Sequence, residues 1–415
     1  MTSKVNGIAG DIIACISPMR KTMRFTLFFS IIVSGALSAC SASETASTEQ
    51  YIPSPSPVVW QGDAGDDFAT YLNWAGDRVR AYINPLSSET RDLEIRLSLP
   101  YERGPNAECD LKGSKKGVVL VHGLGDTPTH MDSLAEFYAE HCFVVRNVLL
   151  PGHGTRPADL MEVNYEDWVQ TVEFTLLDLK QHVDHVYLTG FSIGGAVVLH
   201  LAAAHPDISG VVAIAPALKV GFSVFTTPTV WLRNWVDWAD SDPRTSFAKY
   251  DSMPMNGIAQ SVLLAEAASR KICQDGLRIP VLMVLSDDDN VINSSHASRI
   301  FERCVVSDAS RLVIYQRQKD ELIKRDRRIE INGQVPSANM RNYSHRSMHI
   351  APTHPVFGSR TVNGCALPSD SSDLCVRNDR GHDNEAGFFF DRRTYNPKWQ
   401  QFESLLESFI EEAAL

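Results

Sequence analysis

YLTGFSIGGAVVLH, residues 187–200 of this 415-residue chain, changes from a strand-like to a helix-like apolar pattern at one serine. Ser192 stands at that junction, with Gly190, Gly194 and Gly195 around it. Where a strand turns sharply into a helix, side chains at Gly190 or Gly194 would collide across the turn, and the serine Oγ is left in the open. We interpret Ser192 as a nucleophile; the alternative is a tight turn with a structural role only.

Short apolar, β-branched runs alternate with longer amphipathic stretches on both sides of this serine. Such runs are typical of buried parallel strands, and the alternation predicts an α/β fold with a mostly parallel central sheet flanked by helices. The alternating stretch 92–100 is predicted as an edge strand. The other predicted strands are 117–123, 143–152, 185–190, 210–216, 280–286 and 311–316, and the predicted helices are 129–141, 165–183, 194–205, 256–272, 294–304 and 398–413.

Three stretches interrupt the alternation. Residues 217–255 carry three tryptophans at roughly helical spacing, which suits a cap laid over a site. Ordinary packing is the alternative, and both interpretations bury these side chains. The tryptophans are Trp231, Trp235 and Trp238, and the two polar, irregular stretches predicted as surface insertions are 318–340 and 356–396.

A nucleophilic serine needs a base, and the base needs an orienting carboxylate, because a free hydroxyl is barely ionised at neutral pH. At turns of this kind the chain order is Ser, Asp, His. The run DDDN at 287–290 follows a predicted strand, at the sheet edge where sites of α/β proteins gather. Asp289 fits best as the acid, with Asp288 as the alternative. A solvated loop or a calcium site is the other interpretation, although the run lacks the pattern of an EF-hand.

Five histidines follow the acid in the chain. His345 comes soon after the last predicted strand once the polar insertion is excised, so we predict it as the base. His296 lies in a predicted helix and is expected to face solvent. His349 and His354 are the alternatives, interpreted as loop histidines, and the fifth is His382.

An oxyanion hole needs amide donors from the residue after the nucleophile and from the loop after an earlier strand. Ile193 supplies the first. Leu124 is the expected second donor, because the glycines of VHGLGDTP at 121–128 let backbone approach the reacting carbonyl. A dinucleotide site is the alternative for this loop, but Pro128 stands where a third small residue is wanted.

The N-terminus has the layout of a secretory signal, with a basic MRKTMR at 19–24 and an apolar run at 25–37. This run is shorter than the ~20 residues needed to span a bilayer. LSAC at 37–40 resembles the lipobox of bacterial lipoproteins, which implies that Cys40 becomes the lipidated first residue. Simple secretion or a retained anchor is the alternative. Ser41 resembles lipoproteins sorted to the outer membrane, so we expect anchoring there, facing the periplasm.

These features divide the chain into a signal peptide, a tether rich in Ser, Thr and Pro, and one large domain. The boundaries are 1–39, with translation starting at Met19 or Met23, then 40–65 and 66–415. Without the signal the chain has 35 basic and 49 acidic residues, a net charge near −14. A nucleic-acid partner is disfavoured, because phosphate contacts need positive charge.

Six cysteines remain besides Cys15 and Cys40, and an even number in an exported protein favours disulfides. Proximity in sequence suggests three pairs, out of 15 possible pairings. No CxxC pair or His/Cys cluster indicates zinc, and no cofactor is expected. The suggested pairs are Cys109 with Cys142, Cys273 with Cys304, and Cys365 with Cys375.

These motifs resemble the α/β-hydrolase superfamily, nearest to monoacylglycerol lipases and related bacterial carboxylesterases. The residues that carry the resemblance are VHGLGD (121–126), LLPGHGTRP (149–157), GFSIGG (190–195), Asp289 and the Ser-His pair at 344–345. It implies an α/β-hydrolase fold with the cap, 217–255, inserted after the sixth strand. The implied roles are Ser192 as nucleophile, Asp289 as acid, His345 as base, and Leu124 and Ile193 as amide donors.

The resemblance implies hydrolysis of carboxylic esters, either monoacylglycerols or short- and medium-chain acyl esters. An apolar cap favours an acyl chain over a charged peptide side chain. The alternatives on the same triad are a serine peptidase, a thioesterase and an acyltransferase. A different class is a catalytically inactive, surface-tethered binding protein, and fold analogy alone does not separate these. The sequence leaves the oligomeric state open.

Overall fold

A computed structural model gives the fold of the chain. Several of the predicted features lie outside its described residues: the signal peptide, Cys40, His382 and the Cys365–Cys375 pair. The described residues are 48–63, 65–109, 114–220, 226–244, 246–317, 323–338, 340–359 and 394–413.

A nine-stranded sheet forms the centre of the domain, and its buried apolar side chains pack with those of the flanking helices in one large core. The strands are β1 Tyr101–Arg103, β2 Lys116–Val121, β3 Phe143–Asn147, β4 His185–Phe191, β5 Gly210–Ile214, β8 Val281–Ser286, β9 Arg311–Gln316, β10 Ile323–Arg325 and β11 Arg328–Asn332. Their order is β1-β3-β2-β4-β5-β8-β9-β11-β10, with antiparallel pairs only at the two edges. The predicted α/β-hydrolase fold, with a mostly parallel sheet, is therefore confirmed.

Helices connect the strands and flank the sheet, as predicted. They are α1 Phe68–Tyr82, α2 Arg91–Ser98, α3 Asp132–Glu140, α4 Tyr165–Leu179, α5 Ile193–Ala202, α6 Thr226–Leu232, α7 Met255–Asp275, α8 Ser294–Cys304 and α9 Trp399–Ala413, with 3₁₀ turns at Thr48–Tyr51, Pro128–Met131, Pro157–Met161 and Pro336–Ala338. No helix among the described residues is both long and apolar enough to cross a membrane.

The predicted edge strand at 92–100 is wrong, because most of it forms helix α2 and β1 is the edge strand instead. The alternation of apolar residues there satisfies a strand, but a buried carboxylate favours the helix. Glu94 is fully buried, accepts a hydrogen bond from Thr90 Oγ1 at 2.7 Å and pairs with Arg244. Thr90 lies four residues before Glu94 and Arg244 lies 150 residues after it. A contact with a residue so distant in sequence therefore helps to decide the conformation of 92–100.

The prediction that 318–340 is irregular is wrong for the two strands that lie within it. Strand β11 pairs in parallel with β9, and β10 pairs with β11 in an antiparallel hairpin, so this stretch extends the sheet. Ile329 and Ile331 are buried and alternate with more exposed residues, which is the pattern of a half-buried strand. Of the other predicted insertion, 356–396, the residues 360–393 lie outside the described part.

The tether predicted for 40–65 ends earlier than expected, because residues 48–63 pack against the domain. The amide and hydroxyl of Ser54 donate to the buried carboxylate of Asp159 at 2.6 and 3.0 Å. Arg78 donates to the same carboxylate at 3.1 Å and to the carbonyls of Ser56 and Pro57. Buried polar groups need hydrogen-bond partners, and the segment 48–63 supplies them to Asp159 and Arg78.

Two of the three suggested disulfides are confirmed. Cys109 pairs with Cys142 and Cys273 with Cys304, with Cα atoms 5.5 and 4.8 Å apart. The second bridge joins the C-terminal ends of α7 and α8. The first bridge closes a segment that contains β2, and the second closes a segment that contains β8.

The stretch 217–255 leaves the sheet after β5, the fifth described strand in chain order rather than the sixth. It contains α6 and the small hairpin of β6 Trp238–Ser241 and β7 Ser252–Pro254. The expectation that its tryptophans are buried is wrong for two of them, because Trp231 and Trp235 are 63% and 66% exposed. Thr229 on α6 is buried, and a residue two positions later points to nearly the opposite side of a helix.

Candidate active site

Ser192 occupies a strained turn between β4 and α5, with φ 57° and ψ −116°. Positive φ is uncommon for a residue with a side chain, so the surroundings must hold this conformation. The Ser192 amide donates to the carbonyl of Ile214 at 2.9 Å, and its carbonyl accepts from the amides of Ala196 and Ala217. The backbone of the serine is thereby fixed from the neighbouring strand and from the helix.

Two glycines allow this turn to form. A Cβ on Gly190 would lie 2.3 Å from the carbonyl oxygen of Gly194. A Cβ on Gly194 would lie 2.2 Å from the carbonyl oxygen of Val121, at the end of β2. Both obstacles are backbone atoms, so neither can rotate away, and the expected collision at these positions is present.

Three side chains form one hydrogen-bonded row at the turn. Nε2 of His345 lies 2.9 Å from Oγ of Ser192, and Nδ1 lies 2.6 Å from Oδ2 of Asp289. A carboxylate only accepts, so Nδ1 carries the hydrogen and Nε2 is free to accept from the hydroxyl. The structure therefore brings together the three residues selected from the sequence.

Asp289 is held in place by its own loop, directly after β8. Its Oδ1 accepts from the amides of Val291 at 2.9 Å and Ile292 at 3.0 Å, and its side chain is fully buried. The alternative acid, Asp288, instead pairs with Arg317 at 2.6 Å. Of the two carboxylates, only that of Asp289 faces the imidazole.

The alternative histidines occupy other positions. His349 is buried and stacks on Phe191 with ring centroids 4.1 Å apart, and neither of its ring nitrogens has a hydrogen-bond partner among the described residues. Burial lowers the pKa of His349 to about 3. Nε2 of His354 is paired with the carbonyl of Thr129 at 2.9 Å. His296 lies on α8 and is partly exposed, which agrees in part with the expectation that it faces solvent.

The two proposed amide donors flank the serine. Ile193 opens α5, where first-turn amides have no acceptor within the helix. Leu124 lies in the loop after β2, whose Gly123 is so close to Phe191 that a Cβ there would lie 3.0 Å from the ring. Neither donor amide has a protein acceptor among the described residues. This arrangement leaves both N–H groups available to a ligand.

His122 is a buried histidine that our sequence analysis did not assign. Its Nδ1 donates to the carbonyl of Gly123 at 2.8 Å, and its Nε2 accepts from the amide of Leu150 at 3.1 Å. Burial, aided by nearby His153, lowers the pKa of His122 to about 3, so the ring is neutral. It joins the loop after β2 to the PGHG loop.

Tyr250, near the end of 217–255, is a second residue that sequence reasoning missed. Its amide donates to the carbonyl of Gly125 at 2.7 Å. Its hydroxyl donates to the carbonyl of Gly152 at 3.1 Å and accepts from the amide of Thr155 at 3.0 Å. Burial raises the pKa of this phenol well above its ordinary value. No local pattern marks the residue, because all of its partners are distant in sequence.

The sequence of this chain matches a known family model and is similar to known proteins. A family model described as "Alpha/beta hydrolase family" matches residues 118–357, more than half of the chain. The thermostable monoacylglycerol lipase of Bacillus sp. (strain H-257) is 35% identical over 190 residues, which are 45% of this chain and 75% of that protein. A carboxylesterase of Bacillus subtilis (strain 168) is 24% identical over 204 residues, 48% of this chain and 81% of that protein.

Solved structures with a similar fold include the monoacylglycerol lipase of Paleococcus ferrophilus. That structure is 21% identical in sequence, covers 52% of this chain and 88% of its own, and gives a TM-score of 0.41.

Proposed function

Since the chain belongs to the alpha/beta hydrolase family, we propose that it hydrolyses carboxylic esters through an acyl-enzyme on Ser192. The row of hydrogen bonds from Ser192 through His345 to Asp289 is the observation that supports this most directly. Relatives named as a monoacylglycerol lipase and a carboxylesterase support ester substrates.

In the first step, Oγ of Ser192 attacks the ester carbonyl while Nε2 of His345 takes the hydroxyl proton. Asp289 accepts a hydrogen bond from the N–H at Nδ1 of His345. This bond fixes the tautomer of the ring and stabilises the imidazolium that forms. Because two amides occupy Oδ1 of Asp289, its Oδ2 stays directed at the ring. The short 2.6 Å contact suits this role.

The developing oxyanion is bound by the amides of Leu124 and Ile193. Each such donor typically lowers the barrier by about 3 kcal/mol. The positive end of the α5 dipole adds to this stabilisation, because Ile193 is the first residue of that helix.

Collapse of the tetrahedral intermediate breaks the bond from the carbonyl carbon to the alcohol oxygen. His345 returns its proton to the departing alcohol, which leaves the acyl group on Ser192. A water molecule then gives a proton to His345 and attacks the acyl carbonyl. In the second collapse the bond from the acyl carbon to Oγ of Ser192 breaks, His345 returns the proton to Oγ, and the carboxylic acid is released.

The substrate class that we propose is a monoacylglycerol or a short- or medium-chain acyl ester, with 217–255 acting as the cap. We also propose that Cys40 carries a lipid anchor on an exported protein, so that substrate is met at a membrane. A serine peptidase, thioesterase or acyltransferase would use the same three residues, and an inactive binding protein would use none of them.

Two assays test the proposal on the full chain. A fluorophosphonate probe should label wild type and not Ser192→Ala, and Ser261→Ala, which alters another buried serine, should label normally. A panel of p-nitrophenyl esters of increasing chain length, run beside aminoacyl anilides, should show ester turnover that Ser192→Ala lowers roughly 10⁴-fold or more. Full turnover by Ser192→Ala would exclude the acyl-enzyme scheme, and preference for anilides would favour the peptidase.

A further inference from the structure

An ion pair between a buried carboxylate and a partly exposed arginine connects the two loops that flank the candidate site. Asp126 lies two residues after Leu124, in the loop after β2, and its side chain is 1% exposed. Arg346 directly follows His345. Nη2 of Arg346 donates to Oδ1 of Asp126 at 2.8 Å, across 220 residues of sequence.

The carboxylate depends on this arginine for its countercharge. Nε2 of His130 lies 3.5 Å from the same Oδ1, but burial lowers the pKa of His130 to about 4, so this ring is neutral at pH 7. Burial alone would raise the pKa of Asp126, yet Arg346 and the lesser influence of its other neighbours, Lys249 among them, hold it below its ordinary value. The pair is therefore ionised, and the buried carboxylate would be costly to leave without its partner.

The ring of His349 lies near the ion pair and near His345, because the charges of Asp126 and Arg346 and the imidazole of His345 all influence its pKa. Phe191 contacts His345 with ring centroids 4.9 Å apart and stacks on His349. The charges of Asp126 and Arg346 both affect the pKa of His349. Because the ring of His349 is neutral, it carries no charge that would offset either of theirs at His345. Asp289 is a further charged group at the imidazole and contacts it directly.

We propose that Asp126 and Arg346 are positioning residues for the proposed ester hydrolysis. Their ion pair fixes the loop of the Leu124 amide against the loop of His345, so that oxyanion donor and base keep one relative geometry. Because the two charges offset one another, the pair also changes the electrostatic potential at the imidazole less than either charge alone would. This inference rests on the proposed function and assigns these residues no contact with substrate.

The geometric role has a physical basis in the tolerance of catalysis to displacement. A reacting group misplaced by about 1 Å can lower the rate about 100-fold. Neither loop is a regular element. The amide of Asp126 donates to the carbonyl of Gly123 at 3.2 Å within its own loop, so a tie to the loop of His345 must come from another bond. Arg346 provides this tie through a charge-assisted hydrogen bond.

The electrostatic role gives a test that a purely structural role would not satisfy, because removing either partner leaves the opposite charge. In Asp126→Asn the unpaired arginine disfavours an imidazolium, and the acid limb of the kcat/KM profile should move to lower pH. In Arg346→Gln the unpaired carboxylate favours it, and the limb should move to higher pH. Each shift should be about half a pH unit or more, because an unpaired charge near the imidazole is only partly screened inside the protein.

Both single variants should also lower kcat about 10- to 100-fold with KM changed less than about threefold. The double variant Asp126→Asn/Arg346→Gln should restore the position of the limb while kcat stays low. Arg346→Lys keeps the cation without the guanidinium fork, so it should leave the limb in place and recover part of kcat. This conservative variant keeps the test decisive if Asp126→Asn fails to fold, since Arg346→Lys and Arg346→Gln must then differ in the limb.

A matched control removes another buried pair away from the site. Arg146 pairs with Asp178 at 2.5 Å, with both side chains largely buried. Asp178→Asn should lower the melting temperature without moving the limb. The positioning proposal is overturned if Asp126→Asn and Arg346→Gln shift the limb in the same direction or not at all, in a protein whose Ser192→Ala variant is inactive. Ester turnover that survives Ser192→Ala would instead overturn the proposed function.

Discussion

Oδ2 of Asp289 lies 2.6 Å from Nδ1 of His345, while Oδ1 of the same carboxylate accepts two backbone amides. The carboxylate therefore has one oxygen for its own loop and one for the imidazole, and it cannot rotate without losing both sets of bonds. This division of partners explains why Asp289, rather than the adjacent Asp288, faces the histidine.

Asp289→Asn is expected to lower kcat by about 10⁴-fold with a small change in KM. The amide keeps the shape of the carboxylate but can present an N–H to Nδ1, which would leave Nε2 protonated and unable to take the serine proton. Steady-state ester hydrolysis measures the effect. Asp288→Asn is the control, because Asp288 pairs with Arg317, and its kcat should fall less than about tenfold. Equal losses in the two variants would contradict the assignment of the acid.

Gly194→Ala is expected to abolish folded, active protein. The new Cβ would lie 2.2 Å from the carbonyl of Val121, and a backbone atom of a buried strand cannot yield. Gly257→Ala is the control on α7, where the nearest atom is the side-chain sulfur of Met253 at 3.3 Å, and its stability should stay within about 1 kcal/mol of wild type. Thermal unfolding of both variants measures this, and a Gly194→Ala protein with wild-type melting and turnover would disprove the collision.

The sheet and the row of three site residues follow from local sequence signals. Buried strands are continuous apolar runs, and the serine turn is marked by glycines at fixed offsets, so both can be located without tertiary contacts. The prediction for 92–100 fails because the alternation fits a strand, whereas the buried carboxylate of Glu94 is satisfied by Thr90 in a helical turn, by the amide of Leu86 and by distant Arg244.

Contacts between distant segments explain what the sequence could not predict. The partners of Asp126 and Tyr250 lie 95 to 220 residues away, and polar side chains of this kind look like solvated loop residues until the fold brings their partners to them. The same is true of residues 48–63, whose polar, proline-rich composition resembles a linker. The composition hides a buried bond from Ser54 to Asp159.

The free energy of unfolding is expected to decrease as the pH falls from about 6.5 towards 4. Burial lowers the pKa of His122 and His349 to about 3 and of His130 and His153 to about 4, so the native state stays neutral where the unfolded chain takes up protons. The stabilisation is complete above the unfolded pKa and is lost on acidification. Each histidine contributes up to about 2 kcal/mol of this loss at pH 5. Asp132, whose pKa burial raises to about 6, acts in the opposite direction but is a single group.

His349→Leu should make this acid dependence shallower by the contribution of one histidine. The substitution removes a buried ring whose nitrogens have no hydrogen-bond partner among the described residues, so stability at pH 7 should not fall. Urea unfolding at pH 7, 6 and 5 measures the slope, and His182→Gln serves as the surface control. An unchanged slope in His349→Leu would mean that His349 takes up its proton in the native state as readily as in the unfolded chain.

Asp159→Asn is expected to destabilise the domain by about 3 to 5 kcal/mol, because it removes the charge that compensates buried Arg78. Arg78 also donates to the carbonyls of Ser56 and Pro57, so its release should free the segment 48–63 and make it sensitive to limited proteolysis. Asp207→Asn breaks the exposed pair with Lys180 and should cost at most about 1 kcal/mol, with the segment still protected. Urea unfolding and proteolysis of the two variants measure the difference. If they unfold alike and the segment is cleaved equally in both, residues 48–63 behave as the tether predicted from composition; if they differ as expected, the folded domain begins at least eighteen residues before position 66.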